Sequence, residues 1–161
     1  ATDPGYACRR QPNERCIAAY QARLSGPLID RFDLRIDVPA VTAADLILPP
    51  PAEGSAEVAV RVAAARGRQA KRFAALGLAS VSTNAAAPAK AIEETAKLDA
   101  PSLALFHQAA ERMRLSARGY HRVLKLARTL ADLADEEAVG RIHIAEALAY
   151  RGESVAQTRA A

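Results

Sequence analysis

Apolar residues recur every three or four positions along the last two thirds of the chain, which is the spacing of amphipathic helices. The pattern predicts one helix over about residues 55–73 and four shorter helical segments between 88 and 150. Asp99 and Ser116 are typical N-caps for two of these segments. Because the connections between the segments are short, we predict a mainly α fold in which residues 55–151 form a helical bundle.

A different pattern occupies the segment RLSGPLIDRFDLRIDVP, residues 23–39. Gly26 and Pro27 predict a turn. From 32 to 38, apolar and charged residues then alternate, which is the period of a half-buried β-strand. An isolated strand leaves its backbone groups without partners. We therefore expect either that the rest of the sheet lies outside this chain or that the segment is unpaired.

The stretch LPPPAEGS separates these two patterns. Three consecutive prolines cannot continue a helix, so the stretch predicts a linker, and Ser55 is the predicted N-cap of the helix after it. The expected organisation is a loosely ordered arm with one strand at 1–50, a helical domain at 55–151 and a flexible tail at 152–161.

Composition narrows the possible functions. The chain has 161 residues, a net charge of +4 and a pI near 9.4, so phosphate-bearing partners such as DNA or nucleotides are permitted. It carries no long apolar run, and we expect no membrane contact and a cytoplasmic location. Two cysteines and three histidines share no metal-ligand spacing, so we predict no metal site at these five residues: Cys8, Cys16, His107, His121 and His143.

One group of cations is suited to binding nucleotide phosphates. Arg118, Arg122 and Lys125 lie on one face of a predicted helix, starting in its first turn, where the helix dipole also favours an anion. The alternative is a solvated face whose cations pair with Asp132 or Glu136. The 161 residues contain no G-x-x-x-x-G-K-[ST] loop, so we expect that this chain is not a complete ATPase.

Two further groups of basic residues have alternative roles. A second predicted helix carries four cations that could contact DNA phosphates, or that could simply form an exposed helix face; they are Arg61, Arg68, Lys71 and Arg72. Arg31 stands between the predicted turn and strand. It could present a guanidinium outward, or it could pair locally with Asp30 or Asp33.

Several motifs, in order and spacing, resemble a known family. They are the segment 23–39, AARGRQAKRF, LSARGYHRVLKLARTLADL and HIAEALAYR, which together cover about residues 16–151. The chain resembles the magnesium-chelatase-like AAA+ ATPases, whose best-known bacterial members act as competence-associated DNA branch-migration helicases. The stretch STNAAAPAKAIEET is poorer in large apolar residues than is usual in this family, which suggests a loosely packed helix there.

The resemblance implies a carboxy-terminal fragment: the last strand of the ATPase core followed by a helical lid, with the amino-terminal core as the missing partner. It implies that Arg31 is an arginine finger acting on a neighbouring subunit, that Arg118 is the sensor-2 arginine, and that Arg122 is a second candidate for the same pocket. The intact protein would bind ATP and Mg²⁺, form a ring of usually six subunits and act on DNA, whereas no cofactor is expected on this chain alone.

Two other functions stay open from the sequence. The intact protein could be the ATPase subunit of a true magnesium chelatase, which drives magnesium insertion into a porphyrin. The chain could also be a non-enzymatic helical domain that binds DNA or another protein, and this would need the basic face around Arg61, Arg68 and Arg72.

Overall fold

A computed structural model describes residues 22–36, 38, 41–49 and 52–151. Within these ranges the chain is helical and contains no β-strand. Its elements are α1 (Gly26–Ile29), a short 3₁₀ helix (Asp45–Ile47), α2 (Ser55–Ala75), α3 (Ala89–Ala96), α4 (Ala100–Arg112), α5 (Ala117–Leu133) and α6 (Arg141–Ala149). The prediction of a mainly α fold is confirmed.

The described residues divide into two compact units, one formed by 22–32 together with 36, 38, 41–49 and 52, and the other by 33–35 together with 53–151. In the first unit, α1 lies where the sequence predicts a turn. The hydroxyl of Ser25 caps this single helical turn by accepting from the backbone N–H of Leu28 at 3.3 Å. Pro27 lies in the first turn, where a proline costs a helix no hydrogen bond. The predicted turn is therefore a short helix.

In the second unit, α2 is packed along only part of its length. Its cap is Gly54 rather than the predicted Ser55, because the Glu57 carboxylate accepts from the backbone N–H of Gly54 at 3.0 Å. Residues 55–64 are exposed, and burial begins at Ala65 and continues at Gln69 and Phe73, one helical turn apart. The amino-terminal half of α2 thus extends beyond the packed bundle.

The bundle is arranged around α5, which packs against α2, α3 and α6, while α4 packs against α6. Its apolar stripe contributes Val123, Leu124 and Ala127, which are buried as the sequence predicts. The predicted caps are also confirmed: Asp99 accepts from Ser102 N–H at 2.8 Å, and Ser116 accepts from Gly119 N–H at 3.0 Å. The alanine-rich core is completed by a few larger side chains: Phe73, Ile92, Phe106, Val139 and Ile144.

The region expected to be loosely packed is well packed. In α3, Ile92 and Ala96 are fully buried, and in the loop before it Asn84 and Ala87 are buried. The backbone N–H of Val139 also donates to Ala96 O at 3.0 Å, which ties the end of α3 to the α5–α6 loop. Small side chains bury little area individually, but they allow close helix packing, so few large apolar residues do not imply a loose helix.

The predicted strand at 32–38 is not formed by the residues of this segment that the structure describes. Residues 32–36 and 38 have no regular secondary structure, while 37 lies outside the described residues. A strand is stabilised by hydrogen bonds to a neighbouring strand, and the sequence offers no such neighbour. Instead, the backbone N–H of Arg35 donates to Tyr150 O at 2.8 Å. Residues 33–35 accordingly belong to the helical unit.

Candidate functional site

The amino-terminal end of α5 carries the first candidate residue. The Ser116 cap starts the helix, and Arg118 follows in its first turn with an exposed side chain. Within the described part of the chain, Arg118 makes no side-chain hydrogen bond and no ion pair. A free guanidinium beside the unpaired N–H groups of a helix start is a favourable place for an anion.

Arg122 lies one turn further along the same face and is already paired. Its guanidinium forms an ion pair with the carboxylate of Asp33, which is 89 positions away in sequence. Both side chains are partly exposed, at 26% for Arg122 and 55% for Asp33. The alternative partners predicted from the sequence, Asp132 and Glu136, do not contact it in the described structure.

Lys125 continues this face by one more turn. Its ammonium donates to the backbone carbonyl of Ala85 at 2.8 Å. Partial burial lowers the pKa of Lys125, the nearby charge of Arg122 lowers it further, and the carboxylate of Asp33 opposes both effects. The structure therefore brings the three predicted cations together on one helix face, with one free, one paired to a carboxylate and one held by a carbonyl.

Arg31 lies in the first unit, directly after α1. Its backbone N–H donates to Leu28 O at 3.0 Å, and its side chain is exposed. The alternative of local pairing is not found among the described residues, because Arg31 forms no ion pair with Asp30 or Asp33. Asp33 instead pairs with Arg122. The guanidinium of Arg31 is therefore presented outward.

The four candidate DNA-binding cations of α2 fall into two pairs. Arg61 forms an ion pair with Glu53, in which Nη2 lies 3.1 Å from Oε2, and this hydrogen bond and charge raise the pKa of Arg61. Lys71 is exposed and makes no hydrogen bond or ion pair with any residue in the described ranges. These two side chains face solvent.

The other pair of α2 cations points into the bundle, toward Asp132 on α5. Arg72 forms an ion pair with its carboxylate, with Nη1 at 3.0 Å from Oδ2. Arg68 donates to its backbone carbonyl at 2.8 Å and pairs with Asp135 at 2.5 Å. Arg68 and Arg72 thus hold α2 against α5, and the four cations do not form one free basic surface.

Asp132 is the centre of a buried polar network that the sequence analysis missed. Besides Arg72, its carboxylate accepts from Arg128 at 3.0 Å and from the side-chain amide of Asn84 at 2.8 Å. Burial raises the pKa of Asp132, but the hydrogen bonds from Arg72 and Asn84 and the two guanidinium charges outweigh it, so the pKa lies below its ordinary value. The i, i+4 spacing of Arg128 and Asp132 was the only signal visible in the sequence.

Arg128 is the most unusual member of this network, because its large side chain is fully buried. It also donates to the backbone carbonyl of Glu137 at 2.6 Å and to that of Glu136. These are carbonyls of the turn that follows α5, so Arg128 holds this turn against the end of its own helix. The network is structural: it joins α2, α5 and the two loops beside them.

Comparison with known proteins adds the family. The family described as magnesium chelatase, subunit ChlI C-terminal, matches residues 52–151, which is more than half of the chain. The chain belongs to this magnesium chelatase family. The family described as magnesium chelatase, subunit ChlI, also matches residues 1–46. The match over both parts confirms the resemblance stated from the motifs.

Several curated proteins resemble this magnesium chelatase family member. Competence protein ComM of Haemophilus influenzae is 39% identical over 136 residues, which cover 84% of this chain and 25% of ComM. Uncharacterized protein YifB of Escherichia coli is 37% identical over 141 residues, covering 82% and 25%. Uncharacterized protein Rv2897c of Mycobacterium tuberculosis is 33% identical over 155 residues, covering 89% and 29%. The chain thus spans about a quarter of the length of these relatives.

Two kinds of feature are absent from the described residues. Residues 22–36, 38, 41–49 and 52–151 contain no helix that is long and apolar enough to cross a bilayer. These described residues also contain no group of three or more histidine, cysteine, aspartate or glutamate side chains that could hold a metal ion. Cys8 and Cys16 lie outside the described residues.

Proposed function

We propose that the chain is the carboxy-terminal lid portion of a magnesium-chelatase-like AAA+ ATPase, which couples ATP hydrolysis in a ring of subunits to the remodelling of DNA. The observation that carries this proposal is the free Arg118 in the first turn of α5, in a chain whose family match covers helices α2 to α6. In this role, Arg118 binds the nucleotide phosphates and makes the position of the lid depend on the nucleotide.

The residues at this end of α5 suit a polyphosphate. Arg118 and Arg122 are one helical turn apart, so their side chains can bind neighbouring phosphate groups. ATP would supply the phosphoryl group, and Mg²⁺ and the phosphate loop would be held by the part of the protein outside this chain. The chain's own contribution is therefore to bind and orient the phosphates, and we expect no turnover from it alone.

Arg31 has the second role in this proposal, as an arginine finger that acts on nucleotide bound to a neighbouring subunit. Its exposed guanidinium, without an ion pair in the described structure, supports this role. Such an arginine stabilises negative charge on the phosphoryl group in the transition state. The role requires a ring, and six subunits are the number that the family resemblance suggests.

DNA is the proposed substrate because of the similarity to a protein named for competence, ComM. Of the four candidate DNA-binding residues, Arg61 and Lys71 face solvent, whereas Arg68 and Arg72 are engaged with Asp132. This arrangement favours DNA contact in the assembled ring over a role as an autonomous DNA-binding domain. Absence of low-salt DNA binding by this chain would support that view.

A second function is favoured by the family description itself, which names magnesium chelatase. In that case, the same Arg31 and Arg118 would serve an ATPase that drives magnesium insertion into a porphyrin. The two functions differ in what stimulates hydrolysis. Strong stimulation of the intact ATPase by branched DNA supports remodelling, and stimulation only by a porphyrin-binding partner supports chelation.

Subunit mixing tests the proposed roles. In the intact subunit, Arg31→Ala should lower turnover by about 10³-fold or more. Part of the activity should return when this subunit is mixed with subunits defective only in the phosphate loop, because each supplies what the other lacks. A failure of Arg31→Ala to be rescued would remove the role in trans.

A further inference from the structure

The contact between Asp33 and Arg122 places a carboxylate at the proposed phosphate site. Asp33 reaches this site from a segment far away in sequence, and the backbone of the same segment is held by the hydrogen bond from Arg35 N–H to Tyr150 O at 2.8 Å. The carboxylate also lies close enough to oppose the lowering of the pKa of Lys125. Asp33 therefore occupies an anion position that faces two cations of α5.

A carboxylate and a phosphate are recognised by a guanidinium in the same way, through paired N–H donors. The carboxylate of Asp33 carries one negative charge, whereas the phosphates of a nucleoside triphosphate carry three or four. Arg118 lies one turn away and is free, so a polyphosphate can contact both Arg118 and Arg122 while Asp33 contacts only Arg122. An exposed ion pair of this kind shifts an equilibrium by about fivefold at most, so a polyphosphate can displace it.

We propose that Asp33 is a clasp that occupies the phosphate site of the lid when no nucleotide is bound and is displaced when the phosphates bind. This inference rests on the proposed function of Arg118 and Arg122. Its consequence is a competition: the segment 33–35 is fastened to α5 and α6 in the empty state and released in the bound state. Phe32 alone separates Asp33 from Arg31 in sequence, so the release occurs beside the proposed arginine finger.

The test uses the 161-residue chain and inorganic tripolyphosphate at low ionic strength, where weak binding to three cations is measurable by NMR titration. Asp33→Asn should bind tripolyphosphate about two- to fivefold more tightly than the unchanged chain. The matched control is Glu53→Gln, which removes the same charge from a different exposed ion pair, with Arg61. It should leave the affinity unchanged.

A second readout reports on the clasp itself. Hydrogen exchange at the Arg35 amide should speed up in Asp33→Asn without any ligand, and in the unchanged chain when tripolyphosphate is added. Exchange within α5, for example at Leu124, should not change. Because Arg35 donates its N–H to Tyr150, this amide is protected only while the segment stays fastened.

The outcomes separate the proposed clasp at Asp33 from the proposed phosphate site at Arg118 and Arg122. Tighter binding in Asp33→Asn but not in Glu53→Gln, with faster Arg35 exchange, supports the clasp. Equal tightening in both variants, or no tightening in either while Arg118→Ala still weakens binding, overturns the clasp and leaves the phosphate site intact. If tripolyphosphate binds no variant, the phosphate site fails and the clasp fails with it.

Discussion

Replacing Asp132 with asparagine is the sharpest test of how this fold is held together. Asparagine keeps the size of the side chain but removes the negative charge that faces Arg72 and Arg128. Arg128 is fully buried, so it cannot turn to water when its counter-charge is lost. The substitution leaves a buried cation that has lost its ion-pair partner and is surrounded by neutral acceptors, among them the carbonyls of Glu136 and Glu137.

The size of the effect follows from this geometry. Removing one partner of a buried ion pair costs about 3–5 kcal/mol. We expect the lower end, about 3 kcal/mol, because Arg72 is 20% exposed and can find solvent. For a helical unit of this size the melting temperature should fall by roughly 12–24 °C, since each kcal/mol corresponds to about 4–8 °C.

The measurement is urea unfolding of the chain at neutral pH, followed by circular dichroism. The control is Glu53→Gln, which breaks the exposed pair with Arg61 and should not change the free energy of unfolding measurably. The double variant Arg72→Met with Asp132→Asn should lose less stability than the sum of its two single variants, because each single variant already breaks the same pair.

The pH dependence gives an independent check. The pKa of Asp132 is lower in the folded chain than its ordinary value of 3.8. A carboxyl with a lowered folded pKa stabilises the fold above its unfolded pKa, and this stabilisation is lost as the pH falls through the folded value. The stability difference between the unchanged chain and Asp132→Asn should therefore shrink below about pH 4. A loss no larger than that of Glu53→Gln at pH 7, or a difference that does not shrink in acid, would refute the reasoning.

Three further substitutions test other parts of the structure. Asn84→Ala should destabilise the chain by about 1–3 kcal/mol in urea unfolding, because it removes a buried donor to Asp132; a near-zero loss would contradict that role. Ser116→Ala should cost about 1 kcal/mol as a lost helix cap, and Ser116→Gly only a few tenths. Arg118→Ala should leave the stability of the chain unchanged but lower turnover of the ATPase that we propose for the intact protein by roughly 10–100-fold, the loss of a hydrogen bond to a charged group. A destabilised chain with normal turnover would show a structural role instead.

The sequence was sufficient for features that depend on near neighbours. The helix stripe of α5 and the caps at Asp99 and Ser116 involve residues three or four positions apart, and the structure confirms them. Two of the errors arose where a near neighbour changed the outcome: Glu57 makes Gly54 the cap of α2, and Ser25 caps a short helix in the Gly-Pro stretch. These errors move an element boundary without changing the fold.

The polar contacts of the buried network and of the candidate site could not be predicted from the sequence, because their partners are far apart along the chain. Asp132 is 60 positions from Arg72 and 48 positions from Asn84 in sequence. Asp33 and Arg122 are 89 positions apart. No periodicity links such residues. The sequence alone therefore does not distinguish a basic residue that pairs within the core from one that binds a ligand.

The structure separates these cations by what neutralises them. Arg68 and Arg72 face carboxylates of α5 and of the turn after it, so their charges are used within the bundle, whereas Arg122 pairs with the exposed Asp33. Arg31 and Arg118 face no carboxylate in the described structure. Neither side chain therefore contributes an ion pair to the stability of the fold. The family resemblance gives roles in hydrolysis to both of them, and names Arg122 only as a second candidate for the nucleotide pocket. An arginine that the fold does not use is free to bind an anion from outside, and this is the physical reason to look for the phosphates there.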